Sequence, residues 1–178
     1  MDCHPLVEYL NTEETNRARE LAYGVLREPP APYFSHQSLV LHIARMLADH
    51  VEPRRLGQVA MAPVDVILDR DRDLVVQPDV LFVSTERLSI IRNQVWGAPD
   101  LVVEVLSLGT QAHDRGEKLD WYREYGVREC WLVDAVAMQV VVFDFTGPDP
   151  VRRVFQANDT LRSTVLPELS ASVFALFA

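Results

Sequence analysis

The spacing of apolar and polar positions divides this chain into short strand-like runs interrupted by two amphipathic helices. Leu39, Ile43, Met46 and Leu47 recur at helical spacing, which predicts a helix over 36–50 with one face in the core. Ser35 is placed to cap it and Pro53 to end it. Ahead of that helix, the stretch 17–26 sets Glu20 directly before a short apolar run broken at Gly24. Pro29, Pro30 and Pro32 then force an extended connection. Residues 57–68 read as two short strands, or one bent at Pro63, followed by the charged turn 69-DRDRD-73.

The runs 80–83 and 101–106 are apolar and strand-like, and the second is apolar enough to be a strand buried on both faces. A partly helical connection over 85–94 and the punctuation Gly97-Ala98-Pro99 separate them. Thr110 can cap a helix over 111–125, closed by Gly126, with Leu119, Tyr122 and Tyr125 toward the core. Residues 130–134 and 138–145 predict a hairpin, and 152–156 with 160–165 a final pair of strands. The tail 166–178 is apolar and needs covering. No internal repeat is present. The order helix, strands, helix, strands predicts an α/β fold, a mixed sheet flanked by helices, in one domain over 1–178.

Composition narrows the function classes. An apolar fraction of 48%, a charged fraction of 24% and a mean hydropathy near zero are ordinary for a globular protein. No apolar run is long enough to span a membrane, and the polar, acidic N-terminus lacks the plan of a secretory signal, so a cytoplasmic location is expected. Two cysteines, Cys3 and Cys130, cannot build a disulfide framework or a zinc site by themselves, and Cys130 reads as a small buried hydrophobe. The net charge of −9 argues against a general nucleic-acid binder, which is expected to be basic. A nuclease with this charge must gather its arginines, such as those in 52-EPRRLG-57, 70-RDRD-73, 115-RGEK-118 and 152-RR-153, or use bound metal to offset its carboxylates.

The candidate chemistry is in the middle of the chain. Asp79 stands at the mouth of the 80–83 strand and Glu104 inside the 101–106 strand, with Lys118 on the helix that follows. Two carboxylates and an ammonium on strand, strand and helix can hold a divalent cation and polarise water. Asp79 beside Pro78 also suits a plain turn. Glu104 is harder to explain structurally, because a lone buried carboxylate costs roughly several kcal/mol unless paired or metal-bound. Asp114 and Lys118 are spaced for a helical ion pair, ordinarily worth about 0.3–0.5 kcal/mol. His36, His42 and His50 are too far apart in sequence for a metal pair on adjacent turns, and Trp96, Trp121 and Trp131 suit a core or an interface. There is no phosphate-cradling glycine loop and no G-x-S-x-G.

Taken together, 78-PDVLFVS-84, 97-GAPDLVVEVLS-107 and 113-HDRGEKLDWYREYGVRECWLVD-134 resemble the Uma-type family of restriction-endonuclease-like proteins, within the PD-(D/E)xK nuclease superfamily. The segments 19-RELAYGVL-26, 56-LGQVAMAPVDVIL-68 and the pair His36-Gln37 are similar too. The resemblance implies a restriction-endonuclease-like core with Asp79 as the motif aspartate and Glu104 as its (D/E). Leu106 stands where the superfamily has a lysine, and Lys118 on the next helix matches the family's displaced one. Glu20 and Asp114 match recurrent family positions of second rank.

The implied chemistry is a Mg²⁺- or Mn²⁺-dependent endonuclease acting on DNA, its ion held by Asp79, Glu104 and the Val105 carbonyl, with Lys118 acting on the attacking water. The alternatives are a catalytically lapsed dimeric binding module and a hydrolase of RNA or another phosphoester. A homodimer is expected from the apolar tail and the tryptophans.

Overall fold

The computed structural model describes residues 5–13, 15–106 and 112–177, and for 112–115 the backbone alone. Helix α1 (Leu6–Leu10) precedes the hairpin β1 (Glu20–Ala22) and β2 (Val25–Arg27). The long helix α2 (Phe34–Arg54) leads into β3 (Gly57–Met61), β4 (Val66–Asp69), β5 (Leu74–Val76) and β6 (Val80–Ser84). A 3-10 turn (Thr85–Ile90) and β7 (Val95–Trp96) lead to β8 (Leu101–Leu106), then α3 (Ala112–Tyr125), β9 (Glu129–Asp134), β10 (Gln139–Asp144) and β11 (Val151–Gln156). The short strands β12 (Thr160–Leu161) and β13 (Ala171–Ser172) and helix α4 (Val173–Leu176) finish it.

The expected mixed sheet is in fact two. The larger has the order β11-β10-β9-β8-β6-β3 and is antiparallel except where β8 runs parallel to β9. The smaller has the order β2-β1-β5-β4-β7, with β4 and β7 parallel. Strand alternation explains how they stack. Leu101, Val103 and Val105 of β8 face one way, with Trp131 and Val133 of β9, into a core shared with Leu39, Ile43 and Leu47 of α2. Val102 and Cys130 face the other way, against Trp121 and Tyr122 of α3 and against Val66, Leu74 and Val76 of the smaller sheet. The larger sheet is therefore covered on both faces, as the apolar run at 101–106 predicted for its own strand. The far face of the smaller sheet packs Leu21, Ile67 and Val75 on Leu6 and Tyr9 of α1.

Three boundaries depart from the sequence expectation. Helix α2 starts before Ser35, at Phe34, with Tyr33 in the cap position and no side-chain cap; the prolines before it already set the extended entry. Pro53 lies inside its last turn, and Arg55 in the left-handed conformation ends it. The predicted final pair of strands does not pair with itself: β11 extends the larger sheet beside β10, and only Thr160–Leu161 of the second run is strand, paired with β13 in the tail. That tail is covered from within the chain, since Val173 and Leu176 are buried in the α2 core. Thr110, expected to cap α3, lies outside the described residues.

Two glycines are required by geometry. Gly57 has φ +155°, and a Cβ there would lie 2.0 Å from the Val83 carbonyl oxygen, so only glycine lets β3 pair with β6. Gly126, at φ +91°, ends α3 as expected.

Candidate active site

The site forms where the chain leaves the smaller sheet for the larger one. Strand β5 ends at Val76, the link Gln77-Pro78-Asp79 follows, and β6 begins at Val80. The β6–β8 ladder pairs Val80 with Val103, so one further step sets Asp79 opposite Glu104. The Asp79 carboxylate reaches past that step and accepts the Val105 N–H at 2.7 Å. On the smaller sheet, Glu20 opens β1 and accepts the Gln77 N–H at 2.9 Å. One backbone link thus ties both carboxylates to the same crossing point.

Parity then decides what Glu104 meets. It shares the Val102 face of β8, toward α3, where Lys118 and Tyr122 lie one helical turn apart on one side. Lys118 Nζ lies 2.8 Å from Glu104 and 2.8 Å from Glu20, and the Tyr122 hydroxyl donates to the same Glu104 oxygen. The three charged side chains are only 15–17% exposed. Burial is the largest influence on Glu104 and, with the neighbouring Asp79 and Glu20 charges, outweighs Lys118 to raise its pKa to about 7. For Lys118, burial acts to lower the pKa, but the two carboxylates outweigh it and keep the ammonium charged. Burial, then the Glu104 charge, holds the Tyr122 phenol well above its ordinary range, so it acts as a neutral donor.

His36, in the first turn of α2, enters from the opposite face of β8. Its Nε2 lies 3.1 Å from the Val105 carbonyl oxygen and 3.5 Å from the Asp79 carboxylate. The hydrogen bond to Asp79 is the main influence raising its pKa, against an opposing effect of burial.

A family model described as "Uma2: Putative restriction endonuclease" matches residues 6–174, nearly the whole chain. The chain belongs to the Uma2 family. Among solved structures, this Uma2 chain is similar to one described as a "putative nuclease belonging to DUF820" from Anabaena variabilis, with a TM-score of 0.83 at 22% identity over 97% of each chain. At that identity the likeness shows the fold, a mixed α/β architecture, and not the activity. Comparison with curated proteins gave no match.

Of the residues singled out in the sequence, the Uma2 fold brings together Asp79, Glu104, Val105 and Lys118, and it adds Glu20, which had second rank. Asp114 lies in α3, with its side chain outside the described residues. Lys118 is therefore bound to two strand carboxylates and buried, unlike a surface helical pair. Sequence reasoning missed the role of His36: spacing within one helix was the wrong test, because its neighbours come from β8 and from the link before β6. Tyr122 was assigned to the core, and it is buried, but its hydroxyl also serves the site. Trp131 and Trp121 are core, as expected. Three of the arginines in the basic segments singled out are engaged by carboxylates. Arg54 pairs with Glu168, Arg72 with Glu124 and Arg153 with Asp144.

Do these groups suit a divalent cation? Among the described residues, no three His, Cys, Asp or Glu side chains stand together so as to hold an ion by themselves. The donor set is mixed: the Asp79 carboxylate and the Val105 carbonyl both face His36 Nε2. Two hard oxygens that already share one electropositive group suit a small hard cation. Glu104, the next residue along β8, adds a carboxylate whose Oε1 is held by Lys118 and Tyr122.

Proposed function

We propose that this Uma2 chain is a metal-dependent nuclease that hydrolyses phosphodiester bonds in DNA. The observation that carries this reading is the meeting of Asp79, Glu104, the Val105 carbonyl and the Lys118 ammonium from three separate segments at the crossing of two sheets. A structural role alone would rarely gather this much buried charge, since replacing a buried ion pair by apolar side chains is often neutral or stabilising.

The carboxylate of Asp79, aimed by the Val105 N–H, and the Val105 carbonyl would hold Mg²⁺ or Mn²⁺, with Glu104 completing the protein ligands. Such an ion lowers the pKa of a bound water and offsets charge on the phosphate oxygens. Lys118 would orient the attacking water and stabilise the charge that grows on the phosphoryl oxygens, while Glu104 takes up or passes on its proton. Glu20 and Tyr122 act as positioning residues: one anchors the ammonium from the far side, the other fixes the Glu104 carboxylate.

The displaced lysine fits this reading, because an ammonium on α3 reaches Glu104 as directly as one two residues along β8 would. The specific observation favouring a lapsed, non-catalytic module is that Lys118 is already engaged by two carboxylates.

The test is cleavage of supercoiled, linear and single-stranded DNA, with RNA alongside, by the purified chain with Mg²⁺ or Mn²⁺. Asp79→Ala and Glu104→Gln are expected to lower the rate by at least about a hundredfold, the scale seen when one transition-state-stabilising group is lost. Cleavage that survives both substitutions, or no cleavage of any DNA by the wild type, would refute the proposal. Cleavage confined to RNA would move the substrate class.

A further inference from the structure

We propose that His36 Nε2 is a direct ligand of the divalent cation at the Asp79–Val105 position, and that it biases the site toward Mn²⁺ or Co²⁺ over Mg²⁺. This rests on the metal-dependent reading above. It goes beyond it by adding a nitrogen donor from α2 to what is otherwise an oxygen site.

Geometry supplies the first support. In an octahedral shell with metal–ligand bonds of about 2.1 Å, adjacent ligand atoms lie about 3.0 Å apart. His36 Nε2 stands 3.1 Å from the Val105 oxygen and 3.5 Å from the Asp79 oxygen. These two distances lie close to two edges of one coordination face that share the ring nitrogen, within about half an ångström of the octahedral spacing. The three donors also come from separate elements: the first turn of α2, the link before β6, and the end of β8. Each is anchored by its own strand or helix.

The second support is the state of the ring. Its side chain is only 12% exposed, and Nδ1 is buried with no hydrogen-bond partner among the described residues. An acceptor at Nδ1 would have held the proton there and bared Nε2, and a donor would have kept the proton on Nε2. With neither, the proton can move to Nδ1 and leave the Nε2 lone pair for the ion. An imidazole whose only partners are two oxygens that themselves suit a cation is placed to join them once a cation arrives.

The preference follows from ligand chemistry. Mg²⁺ takes oxygen ligands and accepts nitrogen poorly, whereas affinity for mixed nitrogen and oxygen sites rises from Mn²⁺ to Co²⁺ along the first transition row. Without His36 the site keeps two carboxylates and a carbonyl, which serve Mg²⁺ nearly as well.

Pulsed electron paramagnetic resonance on wild-type protein loaded with Mn²⁺ tests the bond directly. The expected result is a ¹⁴N coupling to the ion that is absent from His36→Gln. Calorimetric titrations of wild type, His36→Gln and Asp79→Asn with Mn²⁺, Co²⁺ and Mg²⁺ should show His36→Gln losing roughly tenfold or more affinity for Mn²⁺ and Co²⁺. Its Mg²⁺ affinity should change by less than about threefold. Carboxylate-dependent Mn²⁺ binding in the wild type without any nitrogen coupling would overturn the assignment of His36 and leave the nuclease reading intact. Absence of Mn²⁺ binding in the wild type would overturn both. The spectrum of the wild type decides the matter even if His36→Gln fails to fold.

Discussion

Replacing Lys118 with Met removes the one ammonium that neutralises Glu104 and Glu20 while keeping most of the apolar stem. Breaking a buried ion pair on one side costs about 3–5 kcal/mol, because the remaining charge is left without compensation. Glu104 has a way to limit that cost: it can take a proton. Holding a carboxyl neutral above its ordinary pKa of 4.5 costs about 1.4 kcal/mol per pH unit. At about pH 8 this escape is as costly as the broken pair, near 5 kcal/mol, and at about pH 5.5 it falls to about 1.4 kcal/mol.

The sign follows from the raised pKa of Glu104. A neutral carboxyl is tolerated in the fold, so the contribution of Lys118 grows as pH rises through about 7 and shrinks below it. Urea denaturation of wild type and Lys118→Met, across pH 5.5 to 8, should therefore show a stability gap of about 3–5 kcal/mol at the alkaline end and about 1–2 at the acid end. The gap should narrow in a Glu104→Gln background, where the pair is already broken. A gap that is flat with pH, or that widens toward acid, would refute the account of a buried, carboxylate-locked lysine.

Tyr122→Phe leaves the ring's packing and removes its donor from Glu104; a loss of about 1.5–3 kcal/mol is expected, read as a lower Tm, and an unchanged Tm would show that the hydroxyl contributes nothing. In the metal-free protein Glu104 titrates near 7, so binding of Mg²⁺ or Mn²⁺ must release its proton below that pH. Calorimetry should show affinity rising by up to about tenfold per pH unit and levelling above about pH 7, and a flat profile would sever Glu104 from the ion. Asp100 is fully buried and accepts hydrogen bonds from the Ser84 N–H and from Arg128 and Arg87; burial works to raise its pKa, but these bonds outweigh it and hold the pKa below the ordinary value. Its contribution is therefore present above the ordinary carboxylate pKa and lost as pH falls, so Asp100→Asn should cost about 2–4 kcal/mol at neutral pH in urea denaturation, and the cost should fade on acidification.

Glu104 was legible in the sequence because it broke a rule: a carboxylate in the middle of L-V-V-E-V-L has no solvent to face. The two central strands were legible for the same reason, since continuous apolar runs need cover on both sides. The split into two sheets was not, because short strands of three or four residues carry no register of their own and the smaller sheet is assembled from segments far apart in sequence. Pro53 misled because proline was read as a stop, whereas the last turn tolerates it when a left-handed residue follows. Glu20 could be ranked only by resemblance and His36 was not ranked at all, since each makes its contacts with a neighbour more than fifty residues away. Spacing along one element cannot report a contact made between elements.

The acidic character of the Uma2 chain and the composition of its site bear on one another. Glu20, Asp79 and Glu104 oppose a single ammonium, so with all carboxyls ionised and His36 neutral the cluster carries two uncompensated negative charges. Such an excess repels a phosphodiester, and Arg54, Arg72 and Arg153 are paired with Glu168, Glu124 and Asp144 instead. In the proposed nuclease, one divalent cation would cancel that excess. A proton on Glu104 or on His36 also reduces the excess, and both pKa values are raised, that of Glu104 chiefly by burial and that of His36 chiefly by its hydrogen bond to Asp79. Under the proposed reading an ion would replace those protons, and the overall charge of −9 would then not count against nucleic acid as substrate. Affinity would come from the ion and its ligands, not from a basic face.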